Sequence, residues 1–144
     1  MIRTTEIAPG LAVAAQPKPD DVASLAEQGF RTLINNRPDD EEPEQPPAAV
    51  MRDEAERHGL AYAHLPVTLG SIGAADVAAF ERLVEASPKP IVAHCRSGAR
   101  TYALWATGQA LAGKADPATL AAAAAKMGYD LKPLPDIVAR VKGG

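Results

Sequence analysis

A single cysteine, Cys95, rules out an internal disulfide and leaves no second thiol to resolve an intermediate within the chain. No basic cluster occurs outside the segment around that cysteine, and the net charge of −3 argues against nucleic acid or an acidic membrane surface as the main partner. The opening residues Met1 to Ile7 lack the continuous apolar stretch of a signal peptide, and nowhere do about 18 apolar residues run uninterrupted as a membrane span requires. A cytoplasmic location is therefore expected. No internal repeat is visible. With 144 residues, 47% hydrophobic and 23% charged, the composition suits one domain, 1–144, with its own core.

What the chain does have is the run Ile91-Val92-Ala93-His94-Cys95-Arg96-Ser97-Gly98-Ala99-Arg100-Thr101. It places the cysteine at the end of an apolar strand, in a short glycine-containing turn bracketed by two arginines. Guanidinium charge, backbone N–H groups turned inward at Gly98, and the positive end of a following helix all favour a reactive thiolate in an anion-binding cradle. The bland alternative is a small buried packing residue. Arg96 and Arg100 count against it, because guanidinium groups buried unpaired beside a packing cysteine would be costly.

The rest of the pattern alternates strands and helices. Ile2–Ile7 and Leu11–Ala14 read as a hairpin turning at Pro9-Gly10. A helix from Pro19 or Asp20 to Gln28 stops at Gly29, and Phe30–Asn35 follows as a buried strand. Pro38–Pro47 is charged and proline-rich, and reads as a solvated surface loop. Ala48–His58 has helical spacing, Leu60–Leu65 is a strand, Pro66–Ile72 a loop, Ala74–Ala86 a helix and Ile91–His94 a strand. Helices over Thr101–Ala112, Pro117–Lys126 and Leu134–Val141 complete the domain. Such alternation implies parallel pairing with right-handed crossovers, hence an α/β fold with a central, mostly parallel sheet flanked by helices on both faces. Ligands on such sheets bind beyond the carboxyl ends of the strands, where Cys95, Asn35-Asn36-Arg37 and Pro66-Val67-Thr68 all lie.

Other candidates carry two readings each. Arg37 either lines the far wall of the pocket and selects an anionic substrate, or sits in a turn in which Asn35 and Asn36 bond their own backbone, the latter being the reading for Asn36. Thr101 either caps the helix or donates its hydroxyl toward the thiolate. Arg96 either recruits a donor at the rim or is solvated. Asp76 suits a helix's first turn, and His58 a helix's negative end. His64 either faces the pocket or is a partly buried structural residue, the latter being the reading. The spacing of His58, His64 and His94 matches no zinc pattern, so no metal and no cofactor are expected.

The segments Ile34 to Asp39, Tyr62 to Val67 and His94 to Thr101 resemble the phosphatase-like domain of beta-lactamase-hydrolase-like proteins, a bacterial family also described as sulfurtransferases. The resemblance runs from about Thr5 to Gly113 and implies a cysteine-phosphatase-like fold. It also implies a persulfide dioxygenase as partner, since the family's domain is often joined to one. In related phosphatases the residue at His94 braces the loop by hydrogen bonding. Tyrosine and dual-specificity phosphatases as a family place five residues between Cys and Arg. Here there are four, Arg96 to Ala99, which is similar to rhodanese-type loops reading Cys-Arg-Ser-Gly-x-Arg.

The expected reaction is accordingly sulfur transfer through a Cys95 persulfide, with thiosulfate or a thiol persulfide as the anionic donor. Arg100 would fork onto the donor, and the N–H groups of Ser97, Gly98, Ala99 and Arg100 would stabilise charge on sulfur. Pro66–Ile72 contains no acid to protonate a leaving alcohol, which suits sulfite as leaving group. Asp39 and Asp40 are read as solvated charge, with a proton-donor role as their alternative. Two other readings stay open: a phosphatase working through a phosphocysteine, and a module that binds phosphate or another anion without turnover.

Overall fold

The computed structural model describes residues 2–143. Five strands form one sheet in the order β1-β2-β5-β3-β4. β1 (Thr4–Ala8) and β2 (Leu11–Ala14) make the antiparallel hairpin, while β2 with β5 (Ile91–His94), β5 with β3 (Thr32–Asn35) and β3 with β4 (Ala61–His64) pair in parallel. Parallel neighbours require crossovers, and the helices supply them. α1 (Asp21–Glu27) and α2 (Ala48–Arg57) cover one face; α3 (Ala74–Ala86), α4 (Ala99–Leu111), α5 (Pro117–Lys126) and α6 (Leu134–Gly143) cover the other.

Side chains alternate across a strand, so each strand feeds both layers. Val92 and Leu33 meet Leu25 and Met51 beneath α1 and α2. Ile91, Ala93 and Ile34 meet Phe80, Leu104 and Ile137 beneath the other four helices. Burial on both faces explains why β5 reads as an uninterrupted apolar run rather than an alternating one. α5 starts where its sequence requires, with the Asp116 carboxylate accepting from the Thr119 N–H at 2.8 Å and Pro117 in the first turn.

One boundary differs from expectation in a way that matters. α4 begins at Ala99, two residues before the expected Thr101, because Gly98 takes a left-handed conformation (φ 105°) and its carbonyl accepts from the Tyr102 N–H at 3.0 Å. Arg100 thereby belongs to the first turn of a helix. Thr101, already inside that turn, does not cap it.

β5 lies at the centre of the sheet, between β2 and β3, and its carboxyl end carries Cys95. The ends of β3 and β4 open on the same side, as parallel pairing demands. No helix among the described residues is long and apolar enough to cross a membrane.

Candidate active site

Cys95 leaves the central strand and is buried, 1% exposed. Its loop is fixed from both neighbouring strands: the Gln16 N–H donates to the Arg96 carbonyl at 3.0 Å, and the Asn36 N–H to the His94 carbonyl at 2.8 Å. Within the loop the Gly98 N–H donates to the Cys95 Sγ at 3.1 Å. The backbone can make that turn because Gly98 has no side chain; a Cβ there would collide with the Tyr129 hydroxyl and lie 3.3 Å from Val13. The Ala99 N–H is not free to face a ligand, since it donates to the Ser97 hydroxyl at 3.3 Å.

His94 sits beneath the loop, fully buried, with its Nδ1 against the Cys95 carbonyl at 3.1 Å. A carbonyl only accepts, so Nδ1 carries the proton and Nε2 is the bare nitrogen, which has no partner among the described residues. Burial pushes the imidazole pKa down to about 4, only partly offset by the bond to the Cys95 carbonyl, and the nearby charges of Arg37 and His64 lower it further. His94 is therefore a neutral brace under the loop.

Three guanidinium groups converge on the mouth. Arg100 donates to both oxygens of Glu41, at 2.9 and 3.2 Å, and from Nη1 to the Val67 carbonyl at 3.0 Å. Arg37, its side chain only 3% exposed, donates from Nε to Glu41 at 2.9 Å, from Nη2 to Glu42 at 2.7 Å and from Nη1 to the Gln16 side chain at 3.2 Å. Arg96, on the rim, reaches the same Glu42 oxygen at 3.1 Å. Burial works to raise the Glu41 pKa, yet the hydrogen bonds and charges of Arg100 and Arg37 outweigh it and hold the carboxyl below its ordinary range.

On the opposite flank a pocket of about 170 Å³ opens beside Ser97, between Arg3, Thr5, Val13 and Tyr129. Burial raises the Tyr129 pKa above its ordinary value, with a smaller electrostatic contribution from neighbouring Cys95, against an opposing effect of Arg3.

The chain that builds this buried cysteine in a glycine turn, with an arginine on the following helix's first turn, matches over residues 3–112 a family model described as "Beta-lactamase hydrolase-like protein, phosphatase-like domain". The chain belongs to that family. A beta-lactamase hydrolase-like protein of Xylella fastidiosa (strain 9a5c) is 36% identical over 130 residues, covering 90% of this chain and 30% of that protein. The chain thus spans about a third of the length of such relatives. A phosphatase candidate from Neisseria meningitidis has a similar crystal structure, with TM-score 0.86, 29% identity and coverage of 95% of this chain and 96% of that one. Pseudomonas aeruginosa TpbA, at TM-score 0.70 and 22% identity over 99% of this chain and 85% of its own, shares the fold. The fold is the cysteine-phosphatase-like one expected from the sequence.

Within this phosphatase-like domain, the structure gathers Cys95, Arg96, Ser97, Gly98, Ala99, Arg100 and Arg37 at one mouth, and puts His94 under it. Thr101 is not at the mouth. Its buried hydroxyl donates to the Asn36 Oδ1 at 3.0 Å, so it faces neither the thiolate nor a ligand. Asn36, expected to bond its own backbone, instead bridges elements, because its Nδ2 also donates to the Leu65 carbonyl at 3.0 Å. Asn35 does make the local turn, accepting from the Arg37 N–H at 2.8 Å. His64 supports the same turn, with Nε2 at 2.7 Å from the Arg37 carbonyl. Asp76 accepts from the Gly73 N–H at 2.9 Å in the first turn of α3, and His58 lies 3.6 Å from Glu54 at the end of α2.

The larger correction concerns Pro38–Pro47. Its residues are half-buried to exposed, as expected of a solvated loop, but the Glu41 and Glu42 carboxylates reach the arginines and neutralise them. A guanidinium as buried as that of Arg37 cannot be left without counter-charge. Asp39 is not free charge either: it accepts from the Ala48 N–H at 2.8 Å at the start of α2. Glu41 and Glu42 are the site residues that sequence reading missed. Their signal was present, as acids four and five places after Arg37 in a chain whose cysteine loop adds two further arginines.

Proposed function

We propose that the chain is a cysteine-dependent phosphatase acting on phosphomonoesters. Cys95 attacks phosphorus, the P–O bond to the leaving group breaks, and a phosphocysteine forms; water then displaces the sulfur and releases inorganic phosphate. Arg100 holds two phosphoryl oxygens in a fork, and the loop amides other than that of Ala99 take developing charge. The observation that carries this reading is the Gly98 N–H on the Cys95 sulfur, with Arg100 two residues further on in the first turn of α4. The phosphatase-like family description and the Neisseria neighbour support it.

Pro66–Ile72 offers no carboxylic acid, and Glu41 is held ionised between arginines, so the leaving oxygen draws its proton from water. Aryl phosphates, whose leaving groups are weakly basic, are therefore the preferred class. The test is hydrolysis of p-nitrophenyl phosphate against an alkyl phosphate, with Cys95→Ser as the control. Turnover that survives in Cys95→Ser would dismiss the mechanism.

Sulfur transfer is the second reading, and the four-residue spacing from Cys95 to Arg100 favours it. In that reaction the thiolate attacks the outer sulfur of thiosulfate, the S–S bond breaks and sulfite departs with the electron pair. The Cys95 persulfide passes its outer sulfur to cyanide as thiocyanate, or to an acceptor thiol, which leaves Cys95 as the thiol and gives a new persulfide that a persulfide dioxygenase partner would then oxidise. Mass spectrometry after mixing with thiosulfate separates the two: one added sulfur at Cys95 with no aryl phosphate turnover selects transfer. Neither activity, with phosphate binding retained in Cys95→Ser, leaves an anion-binding module.

A further inference from the structure

We propose that Glu41 and Glu42 occupy two adjacent oxyanion positions of the site, so that it takes a ligand carrying two neighbouring anionic groups, one on Arg100 beside Cys95 and one between Arg37 and Arg96. The proposal deepens the phosphatase reading by naming its substrate class. It borrows from that reading only where the ligand sits.

Glu41 meets Arg100 as a substrate oxyanion would, with two oxygens on two guanidinium nitrogens. Glu42 marks a second place, one oxygen shared by Arg37 and Arg96 at 2.7 and 3.1 Å. The two places adjoin, because the Nε and Nη2 of the single Arg37 guanidinium serve one each. Three guanidinium groups and two carboxylates leave one positive charge in excess with the loop in place. Once a ligand displaces both carboxylates, all three cations need an answer. A lone phosphoryl group covers the Arg100 position alone and leaves buried Arg37 dependent on Glu42.

Displacement is feasible because the carboxylates come from the solvent side. Their side chains are 26% and 45% exposed while that of Arg37 is 3%, so Arg37 is fixed and the anions are exchangeable. Water rehydrates the released carboxylates. Arg96, 66% exposed, is free to follow the second group of the ligand.

The test is calorimetric binding of inorganic phosphate and of pyrophosphate to the Cys95→Ser chain, which needs no turnover. Pyrophosphate is expected to bind at least roughly tenfold tighter, the difference of one added charge-assisted contact. Arg96→Gln should erase most of that advantage, weakening pyrophosphate binding far more than phosphate binding. Arg52→Gln removes the same charge from α2, where Arg52 lies over the Tyr62 ring, and should not erase it. The double variant Glu41→Gln with Glu42→Gln should bind both probes more tightly, its internal competitors being weakened.

Equal affinities for the two probes, no binding of either, equal effects of Arg96→Gln and Arg52→Gln, or weaker binding in the double glutamine variant would each overturn the proposal. A chain that binds pyrophosphate as described yet hydrolyses no phosphomonoester keeps this inference and loses the phosphatase reading. Hydrolysis without the pyrophosphate preference does the reverse.

Discussion

The Thr101 hydroxyl donates to the Asn36 Oδ1 at 3.0 Å, tying the first turn of α4 to the end of β3 beneath the cysteine loop. Both residues are fully buried, so the bond has no water to replace it. Thr101→Val keeps the shape and removes the donor, which leaves a buried amide oxygen unpaired at a cost of about 1–3 kcal/mol. Urea unfolding should show that loss, while kcat falls only modestly. A collapse of kcat with stability unchanged would instead place the hydroxyl on the reacting atoms.

Gly98 and Tyr129 define a second test. Gly98→Ala forces a side chain into φ 105° and into the Tyr129 hydroxyl at once. Backbone strain of this kind costs on the order of 1–3 kcal/mol before the collision is counted. Activity should be lost together with stability. Adding Tyr129→Phe removes the colliding hydroxyl and should restore part of the stability, but the ring carbon 3.0 Å away and the positive φ both remain. Full recovery in the double variant would show that the loop does not need a glycine backbone.

The sequence foretold the sheet because both of its signals are local. Apolar runs bounded by Gly and Pro marked β2, β3 and β5, and the last of them put the cysteine turn at a strand's carboxyl end, while the pairing alone made that strand the central one. What stayed hidden was long-range pairing. Asn36 looked like a turn residue, and only the parallel neighbours β3 and β4 bring the Leu65 carbonyl to its amide while α4 brings Thr101. The acidic loop likewise read as solvent-facing, since high charge and four prolines usually mean that. Its role emerges once Arg37 is known to be buried, because burial turns an optional ion pair into a required one. Side-chain direction at the end of β3 decided the matter, and no periodicity records it.

Asp39 separates a structural carboxylate from a chemical one. Its oxygen accepts from the Ala48 N–H at 2.8 Å, one of the otherwise unpaired donors at the start of α2, so Asp39→Ala should destabilise the chain by about 0.5–1.5 kcal/mol, the net worth of one hydrogen bond. Asp39→Asn retains an acceptor and should recover most of that stability. Neither change should alter the ratio of aryl to alkyl phosphate hydrolysis. A selective loss of the alkyl substrate in Asp39→Asn would identify this residue as the missing proton donor.

His94 makes stability depend on pH in a defined window. Its folded pKa of about 4 lies below the ordinary 6.5, because the buried ring has no counter-charge and its protonated Nε2 would have no acceptor among the described residues. Above pH 6.5 both states leave it neutral and its contribution is complete. As the pH falls from 6.5 toward 4, the unfolded chain takes a proton that the folded one refuses, so stability drops across that range and the loss levels off below it. A gap of this size corresponds to about 3 kcal/mol. His94→Asn, which keeps an N–H for the Cys95 carbonyl but does not titrate, should flatten the slope between pH 6.5 and 4 relative to the parent chain. Carboxylates titrate in both proteins and cancel in the comparison. Parallel urea-unfolding curves for the two chains across that range would mean that the imidazole takes up its proton in the folded state as readily as in the unfolded one, and that the brace under the cysteine loop tolerates a charge.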